Sequence, residues 1–208
     1  MNKKDELMKL KEKVLEDKSL PLKKGATNLV FGVGNPDAEI LFIGEGPGYW
    51  EDIKAEPFVG NAGALLNQLL SLIKVERNSV FITNVIMYRP PENRDPYPDE
   101  IKAFEPYLDE LINIIDPRII ITLGRFSMAK FLPGVFISSV HGKLKEILWK
   151  GKNITVIPMY HPAAGLRSLE VKEKLKQDFL MLPDILEKTK HQETGNIKSK
   201  EVEQIKLL

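Results

Sequence analysis

Residues 39–48 read Glu39-Ile40-Leu41-Phe42-Ile43-Gly44-Glu45-Gly46-Pro47-Gly48, a short apolar run followed at once by a loop with three glycines. Three later runs share the apolar, β-branched character of its first half: Ser79-Val80-Phe81-Ile82-Thr83, Arg118-Ile119-Ile120-Ile121-Thr122-Leu123 and Asn153-Ile154-Thr155-Val156-Ile157-Pro158. Near-continuous apolar runs of this length are typical of strands that are buried on both faces of a parallel sheet. The pattern therefore predicts four buried strands.

Amphipathic helical patterns alternate with these strands. Apolar residues recur at helical spacing over residues 63–73 and 99–115, and a last long helix is expected over residues 169–188. A short helix is expected after Gly124, and an N-terminal helix over residues 7–15 is expected to pack outside the sheet. The alternation predicts a three-layer α/β/α fold with a central, mostly parallel four-stranded sheet. We expect one domain over residues 1–189 and a flexible polar tail over residues 190–208.

The composition excludes several classes of site. The 208 residues include no cysteine, which rules out disulfides, cysteine-ligated zinc or iron–sulfur clusters, and a cysteine nucleophile. The three histidines lack the spacing of metal ligands on one element. No run approaches the roughly 18 apolar residues that span a bilayer, and no signal core follows the N-terminus, so we expect a cytoplasmic protein. Because the net charge is only +1, binding to nucleic acid needs a local basic face.

Polar residues follow each predicted strand at the point where it ends. Glu45 lies in the glycine-rich loop after the first strand, Asn84 follows the second, Gly124-Arg125 the third, and His161 the fourth. In sheets of this kind ligands bind beyond the carboxyl ends of the strands. An acid, an amide and an imidazole are therefore predicted to converge on one concave polar pocket.

Taken singly, these signals have structural alternatives. The spacing of Gly44-Glu45-Gly46-Pro47-Gly48 fits neither a dinucleotide fingerprint nor a phosphate loop, and a glycine-rich surface turn is an alternative. His161 alone is more typical of a hydrogen-bonded histidine at a strand end, but its predicted place opposite Glu45 in the same crevice favours a functional role. Four basic residues lie on loops at the same edge: Arg89, Arg94, Lys143 and Arg167. They form either a phosphate-facing rim or an ordinary solvated surface.

In this order, the motifs resemble the family-4 uracil-DNA glycosylases of bacteria and archaea. The resemblance runs from Asn28-Leu29-Val30-Phe31-Gly32 to the last helix, which is most of the chain. The matching motifs are Gly44-Glu45-Gly46-Pro47-Gly48 with Glu51-Asp52, Pro57-Phe58-Val59-Gly60, Thr83-Asn84-Val85, Arg89-Pro90-Pro91 with Asn93-Arg94, and Tyr160-His161-Pro162. Several multi-residue motifs in one order are far more specific than any one of them.

The resemblance implies catalytic roles for two residues. Glu45 would orient or activate the attacking water and favour the positive charge that develops on the sugar. His161 would hydrogen-bond the uracil oxygen as the base leaves with negative charge. The loop over residues 163–167 would press into the duplex and hold phosphates. The placement of Arg89, Arg94, Lys143 and Arg167 at the same edge, taken as a phosphate-facing rim, predicts that these residues contact the DNA.

The resemblance also implies a pocket for a base that has left the helical stack. Gly46, Glu51, Phe58 and Asn84 would surround the uracil. Phe58 would stack on the flipped base, Asn84 would read its edge through the amide, and Glu51 would crowd the C5 position and reject thymine.

One feature of the family is missing from this chain. The family typically holds an iron–sulfur cluster on four cysteines, and those positions fall on Asp17, Leu20, Tyr88 and Phe104. Because two of these residues are aromatic, we expect packing to replace the metal between the N-terminal segment and the loop that carries Arg89. Cleavage of an N-glycosidic bond needs no metal or redox group, so we expect no cofactor.

The sequence therefore predicts a monomeric uracil-DNA glycosylase that acts on uracil-containing DNA and leaves an abasic site. One alternative is the same enzyme with specificity for deaminated purines such as hypoxanthine or xanthine, in which Glu51 and Tyr49-Trp50 shape a different pocket. The other is a non-catalytic relative that binds DNA through the basic rim and turns over nothing.

Overall fold

A computed structural model describes the backbone of residues 2–205 and the side chains of residues 2–187. Over this part the chain forms one six-stranded sheet with the order β1-β3-β2-β4-β6-β5. The strands are β1 (Val33–Gly34), β2 (Ile40–Gly44), β3 (Phe81–Asn84), β4 (Ile119–Leu123), β5 (Lys145–Trp149) and β6 (Lys152–Met159).

The four central strands, β3, β2, β4 and β6, are parallel. They coincide with the four predicted strands, and the mostly parallel sheet is confirmed. The predicted strand number is too low, because β1 and β5 add an antiparallel strand at each edge. The two residues of β1 are too few to leave a periodic pattern, and β5 alternates half-buried with exposed residues. Neither edge strand has the apolar run by which a doubly covered strand is identified.

Helices cover both faces of the sheet. They are α1 (Lys3–Glu16), α2 (Tyr49–Lys54), α3 (Asn61–Leu72), α4 (Pro98–Ile115), α5 (Arg125–Ala129), α6 (Ile137–Val140), α7 (Pro162–Arg167) and α8 (Leu169–Ile205). None of the helices over residues 2–205 is long and apolar enough to cross a membrane.

The alternation of side chains along each strand creates two separate cores. On one face, Leu41 and Ile43 of β2 pack in a cluster with Phe104 of α4 and Leu10 of α1. On the other face, Phe42 packs with α3 and α8, and its ring stacks on that of Phe179 at a centroid distance of 6.1 Å. The predicted three-layer α/β/α fold is confirmed.

The longer helices agree with the predicted ones, whereas three short helices lacked a sequence signal. α2, α6 and α7 have four to six residues each, fewer than two turns, so they cannot display an amphipathic period. α8 continues to Ile205, beyond the end expected at residue 188. The tail predicted over residues 190–208 lies outside the residues whose side chains are described, and it stays a prediction, as does the domain boundary at residue 189.

The strand order places a crevice at the carboxyl end of β2. From β2 the chain passes to β3 on one side, and it later returns to pair β4 on the other side of β2. Connections that leave a strand in opposite directions open a gap above it, where ligands of α/β sheets bind. Gly44 pairs with Asn84 in register, so the residues that follow β2 begin beside Asn84.

Three of the four positions that the resemblance assigns to cluster cysteines carry packed side chains, and the fourth, Asp17, is only partly buried. Leu20, Tyr88 and Phe104 are at most 6% exposed and belong to one core, with the rings of Tyr88 and Phe104 6.0 Å apart. Asp17 accepts a 2.6 Å hydrogen bond from the Tyr107 hydroxyl. Iron–sulfur clusters are held by thiolates, and the chain has none. The residues present therefore do not fit a cluster, and the packing agrees with the expectation that side chains take its place.

Replacing Phe104 by alanine should destabilise the fold strongly, because the ring is fully buried beside Tyr88. We expect the free energy of unfolding to fall by about 3–5 kcal/mol. Denaturant unfolding followed by circular dichroism measures this change. Leu148→Ala, which truncates an exposed side chain on β5, is the control and should change stability little. An iron chelator should leave the wild-type transition where it is, and a shift on chelation would contradict the account.

Candidate active site

A cavity of about 610 Å³ lies at the carboxyl ends of the parallel strands. Of the ten residues predicted for the site, eight line this cavity: Glu45, Gly46, Glu51, Phe58, Asn84, Arg94, His161 and Arg167. Arg89 and Lys143 are the two that do not, although Pro90 and Asn93 from the Arg89 loop do. The structure therefore brings together the acid, the amide, the aromatic ring and the imidazole that the sequence predicted.

Glu45 directly follows β2 and is partly buried under the start of α5. Its carboxylate accepts hydrogen bonds from the backbone of Phe126 and Arg125. Close approach depends on Gly124, where a Cβ would lie 2.2 Å from Glu45 Oε1 and where φ is +102°. Burial raises the pKa of Glu45 above its ordinary value, and the negative charge of Asp95 raises it further, against the lowering effect of those hydrogen bonds.

His161 caps α7 with its side chain. Its Nδ1 accepts a 3.1 Å hydrogen bond from the backbone N–H of Ala163. In the neutral ring the proton is therefore on Nε2, which can donate. Burial lowers the pKa of His161 to about 4, and the positive charge of Arg167 adds to this shift. The imidazole is consequently a neutral donor at physiological pH.

Asn84 carries an unsatisfied acceptor at the cavity. The side chain is 2% exposed, and its Oδ1 has no hydrogen-bond partner among the described residues. Gly44 makes room for it, because a Cβ at that position would lie 2.3 Å from Oδ1. A buried oxygen without a donor costs free energy, and a ligand with an N–H group at this point would remove that cost.

Phe58 lines the same cavity and has a strained backbone conformation. Its φ is +54°, in the left-handed region that costs a bulky residue about 1–3 kcal/mol. Its ring is 5% exposed and lies 5.5 Å from the ring of His161, at an interplanar angle of 28°. Strain of this kind persists only where neighbouring contacts enforce it, and it concentrates at functional sites.

Glu51 supplies part of that enforcement. Its Oε1 accepts hydrogen bonds from the backbone N–H groups of Val59 at 3.1 Å and Gly60 at 2.9 Å. Gly63 supplies another part, since a Cβ there would lie 1.8 Å from the carbonyl oxygen of Phe58. Glu51 thus lines the cavity and also fixes the loop that presents Phe58 to it.

The four basic residues differ in how far their charge is neutralised. Arg94 forms two hydrogen bonds of 2.8 and 2.6 Å with buried Glu100, so it anchors its own loop. Arg89 donates to Asn93, and Lys143 to the carbonyl oxygen of Ser139. Arg167 is exposed at the cavity edge.

Sequence reasoning missed the ion pair between Asp95 and Arg125. Both residues line the cavity, and their side chains lie within hydrogen-bond distance of one another. Both act on Glu45, since Asp95 raises its pKa and Arg125 lowers it. The position of Arg125 directly after a predicted strand was a usable signal, whereas Asp95 had none, because it lies in a loop far from the strands in sequence.

The pKa of His161 is measurable by NMR. Its imidazole signals should titrate with a midpoint near pH 4 rather than at the ordinary value of about 6.5. Since the folded-state pKa is lowered, protonation favours the unfolded state, and stability should fall as pH drops from about 6.5 towards 4. Arg167→Gln should raise the midpoint, while burial keeps it below 6.5. The spectrum of His161→Ala assigns the signals, and a midpoint near 6.5 in the wild type would contradict the burial argument.

Comparison with known proteins tests the family predicted from the motifs. Residues 31–181 match the family model of the uracil DNA glycosylase superfamily. The chain is 46% identical over 187 residues to a Type-4 uracil-DNA glycosylase of Sulfurisphaera tokodaii, covering 87% of this chain and 85% of that protein. It is 43% identical to the Type-4 uracil-DNA glycosylase of Archaeoglobus fulgidus, with 83% and 89% covered. It is also 43% identical to that of Saccharolobus solfataricus, with 88% and 87% covered. The chain therefore belongs to the uracil DNA glycosylase superfamily.

Proposed function

We propose that the chain hydrolyses the N-glycosidic bond between uracil and deoxyribose in DNA and leaves an abasic site. The observation that carries the proposal is that Glu45, Asn84 and His161 line one and the same cavity. The relatives named Type-4 uracil-DNA glycosylase, at 43–46% identity over most of their length, support the same activity. We take the enzyme to act as a monomer, because all of these residues lie on one chain.

Recognition begins with a nucleotide that has left the helical stack. A cavity of about 610 Å³ is large enough for a nucleobase, and Phe58 offers its ring as a stacking surface. Uracil presents an N–H donor between two carbonyl acceptors. The unpaired Oδ1 of Asn84 accepts from that N–H, and the other half of the amide donates to a carbonyl.

Cleavage separates positive charge on the sugar from negative charge on the base. A water molecule attacks C1′ while the bond from C1′ to N1 breaks, and the electron pair of that bond passes to the uracil. Glu45 orients the water, takes up its proton and stabilises the cationic sugar. Its raised pKa makes it a better base than an exposed carboxylate. The field of a partly buried carboxylate is also weakly screened.

His161 acts on the leaving base. Its Nδ1 is occupied by the Ala163 N–H, so the neutral ring presents Nε2–H as a donor to the uracil oxygen that gains negative charge. A donor of lowered pKa adds no full positive charge near the cationic sugar. Preorganised donors of this kind supply much of the rate enhancement in many enzymes.

Base release from oligonucleotides that carry a single uracil, hypoxanthine or xanthine tests this function. Wild type should release uracil, with abasic sites revealed by alkali. Glu45→Gln should lower the single-turnover rate by about 10²–10⁴-fold, since it removes the base. His161→Ala should lower it by about 10²–10³-fold, since it removes one donor. Leu148→Ala is the control. Release of hypoxanthine or xanthine but not uracil would show that the substrate is a deaminated purine. DNA binding without release of any base would show that the chain is a non-catalytic DNA-binding protein.

The pH profile tests the assignment of Glu45 as the base. Activity should fall at low pH as the Glu45 carboxylate is protonated, at a pH above the ordinary glutamate pKa. Because the charge of Asp95 raises that pKa, Asp95→Asn should move the acid limb of the single-turnover profile to lower pH. Asp37→Asn, whose carboxyl precedes the opposite end of β2, should leave the limb in place. If Asp95→Asn leaves the acid limb of the profile unchanged, that limb reports the titration of a group other than Glu45.

A further inference from the structure

Two large aromatic side chains are exposed next to the cavity. Tyr49 is 48% exposed and Trp50 is 56% exposed, and their rings meet edge to face at a centroid distance of 5.2 Å. Ile53, one turn further along α2, is 44% exposed. Together Tyr49, Trp50 and Ile53 form an apolar patch on the outer side of α2. A contiguous exposed apolar patch, unlike a single exposed apolar side chain, often marks a surface that binds another molecule.

Hydrogen bonds on the inner side of α2 fix the position of the patch. α2 has only six residues, too few to be stable as an isolated helix. Buried Asp52 accepts hydrogen bonds from the backbone N–H groups of Thr27 and Asn28, and Glu51 accepts from that of Gly60. Two consecutive carboxylates therefore fasten the helix to loops on its inner side. The exposure of Tyr49 and Trp50 is a fixed feature of the surface and does not result from a loose segment.

The positively charged side chain of Arg89 lies beside the aromatic pair. The guanidinium carbon of Arg89 is 5.0 Å from the centre of the Tyr49 ring. Its Nε donates to Asn93, and among the described residues no carboxylate pairs with its charge. The patch is also continuous with the cavity. Gly48 and Glu51, next to Tyr49 and Trp50 in the chain, line the cavity wall, and so do Pro90 and Asn93 from the loop of Arg89.

We propose that Tyr49, Trp50 and Arg89 form a stacking platform for an unpaired nucleotide that neighbours the flipped base in single-stranded DNA. Because the two rings are nearly perpendicular, one ring takes the base face and the other packs against the base edge, and the guanidinium takes the adjoining phosphate. The inference rests on the proposed function, since the strand must enter the cavity beside the platform.

The exposure of the two aromatic side chains favours a single strand over a duplex. In a duplex both faces of each base are covered by neighbouring bases, and stacking on a protein ring first requires unstacking. In a single strand the face is available at little cost, and every base offers one, so stacking gives affinity without sequence preference.

The chain allows a direct optical test, because Trp50 and Trp149 are its only tryptophans. In Trp149→Phe the fluorescence comes from Trp50 alone, and adding a single-stranded oligonucleotide should quench it. In Trp50→Phe it comes from Trp149, on strand β5 against Phe131, and it should not respond. Absence of quenching in Trp149→Phe would overturn the proposal, whether the patch then binds a protein or nothing. The optical test detects binding without any base release, so it does not depend on catalysis.

Kinetics provide the second test. Trp50→Ala and Tyr49→Ala should each raise KM for a uracil-containing single strand by about tenfold, within the range for loss of one stacked base. The matched duplex should be affected much less. Leu148→Ala, equally an exposed apolar truncation, is the control. An equal rise in KM for both substrates would contradict a platform for single strands. If the oligonucleotide quenches Trp50 in Trp149→Phe while the wild type releases no base, the chain binds a single strand at the patch and the proposed function fails, so the two failures are told apart.

Discussion

The parallel pairing of β2 with β3 on one side and β4 on the other is the constraint on which the rest of this structure depends. The helices of the connections between parallel strands cover both faces of the sheet, so β2 is completely buried, which accounts for the unbroken apolar run of its sequence. The parallel pairing also means that the chain must leave the carboxyl end of β2 into a gap between connections that diverge. Glu45 lies in that gap as a consequence of the topology, and the register that pairs Gly44 with Asn84 brings the amide to the same place.

Once the strand ends are fixed, small residues determine how closely the polar groups approach. Gly44 admits both Asn84 Oδ1 and the Phe58 ring, and Gly124 admits the Glu45 carboxylate. A side chain at either position would occupy space that the functional groups now fill. The resulting burial shifts the pKa values of Glu45 and His161 in opposite directions. It raises the pKa of Glu45 and lowers that of His161, because in each case the neutral form is favoured. The same desolvation thus gives a stronger base and an uncharged donor.

The sequence predicted the central strands and the layers, because the strands are strong apolar runs. It also predicted the convergence of Glu45, Asn84 and His161, because each of these residues lies at the end of one such run. It did not predict β5, because this strand alternates half-buried with exposed residues and lacks the apolar run by which the central strands were identified. Nor did it predict that Glu51 would bind the backbone of Gly60, because a hydrogen bond between side chain and backbone leaves no trace in residue spacing. The pairing of Arg94 with Glu100 is hidden for a related reason. Spacing alone does not distinguish an arginine that faces solvent from one that anchors a loop.

The loss of the cluster cysteines need not disturb the site, because the same region is tied to it by chain connectivity. Tyr88 is 3% exposed in the core beside Phe104, and the next residue is Arg89 of the stacking platform. The start of the loop is thus fixed by apolar packing, and its end is fixed by the ion pair of Arg94 with Glu100 at the start of α4. Between these two anchors the backbone turns through Glu92 and Asn93, both with positive φ. A loop anchored at both ends in this way keeps Arg89 beside Tyr49 without a metal, because apolar packing fixes one end of the loop and the ion pair fixes the other.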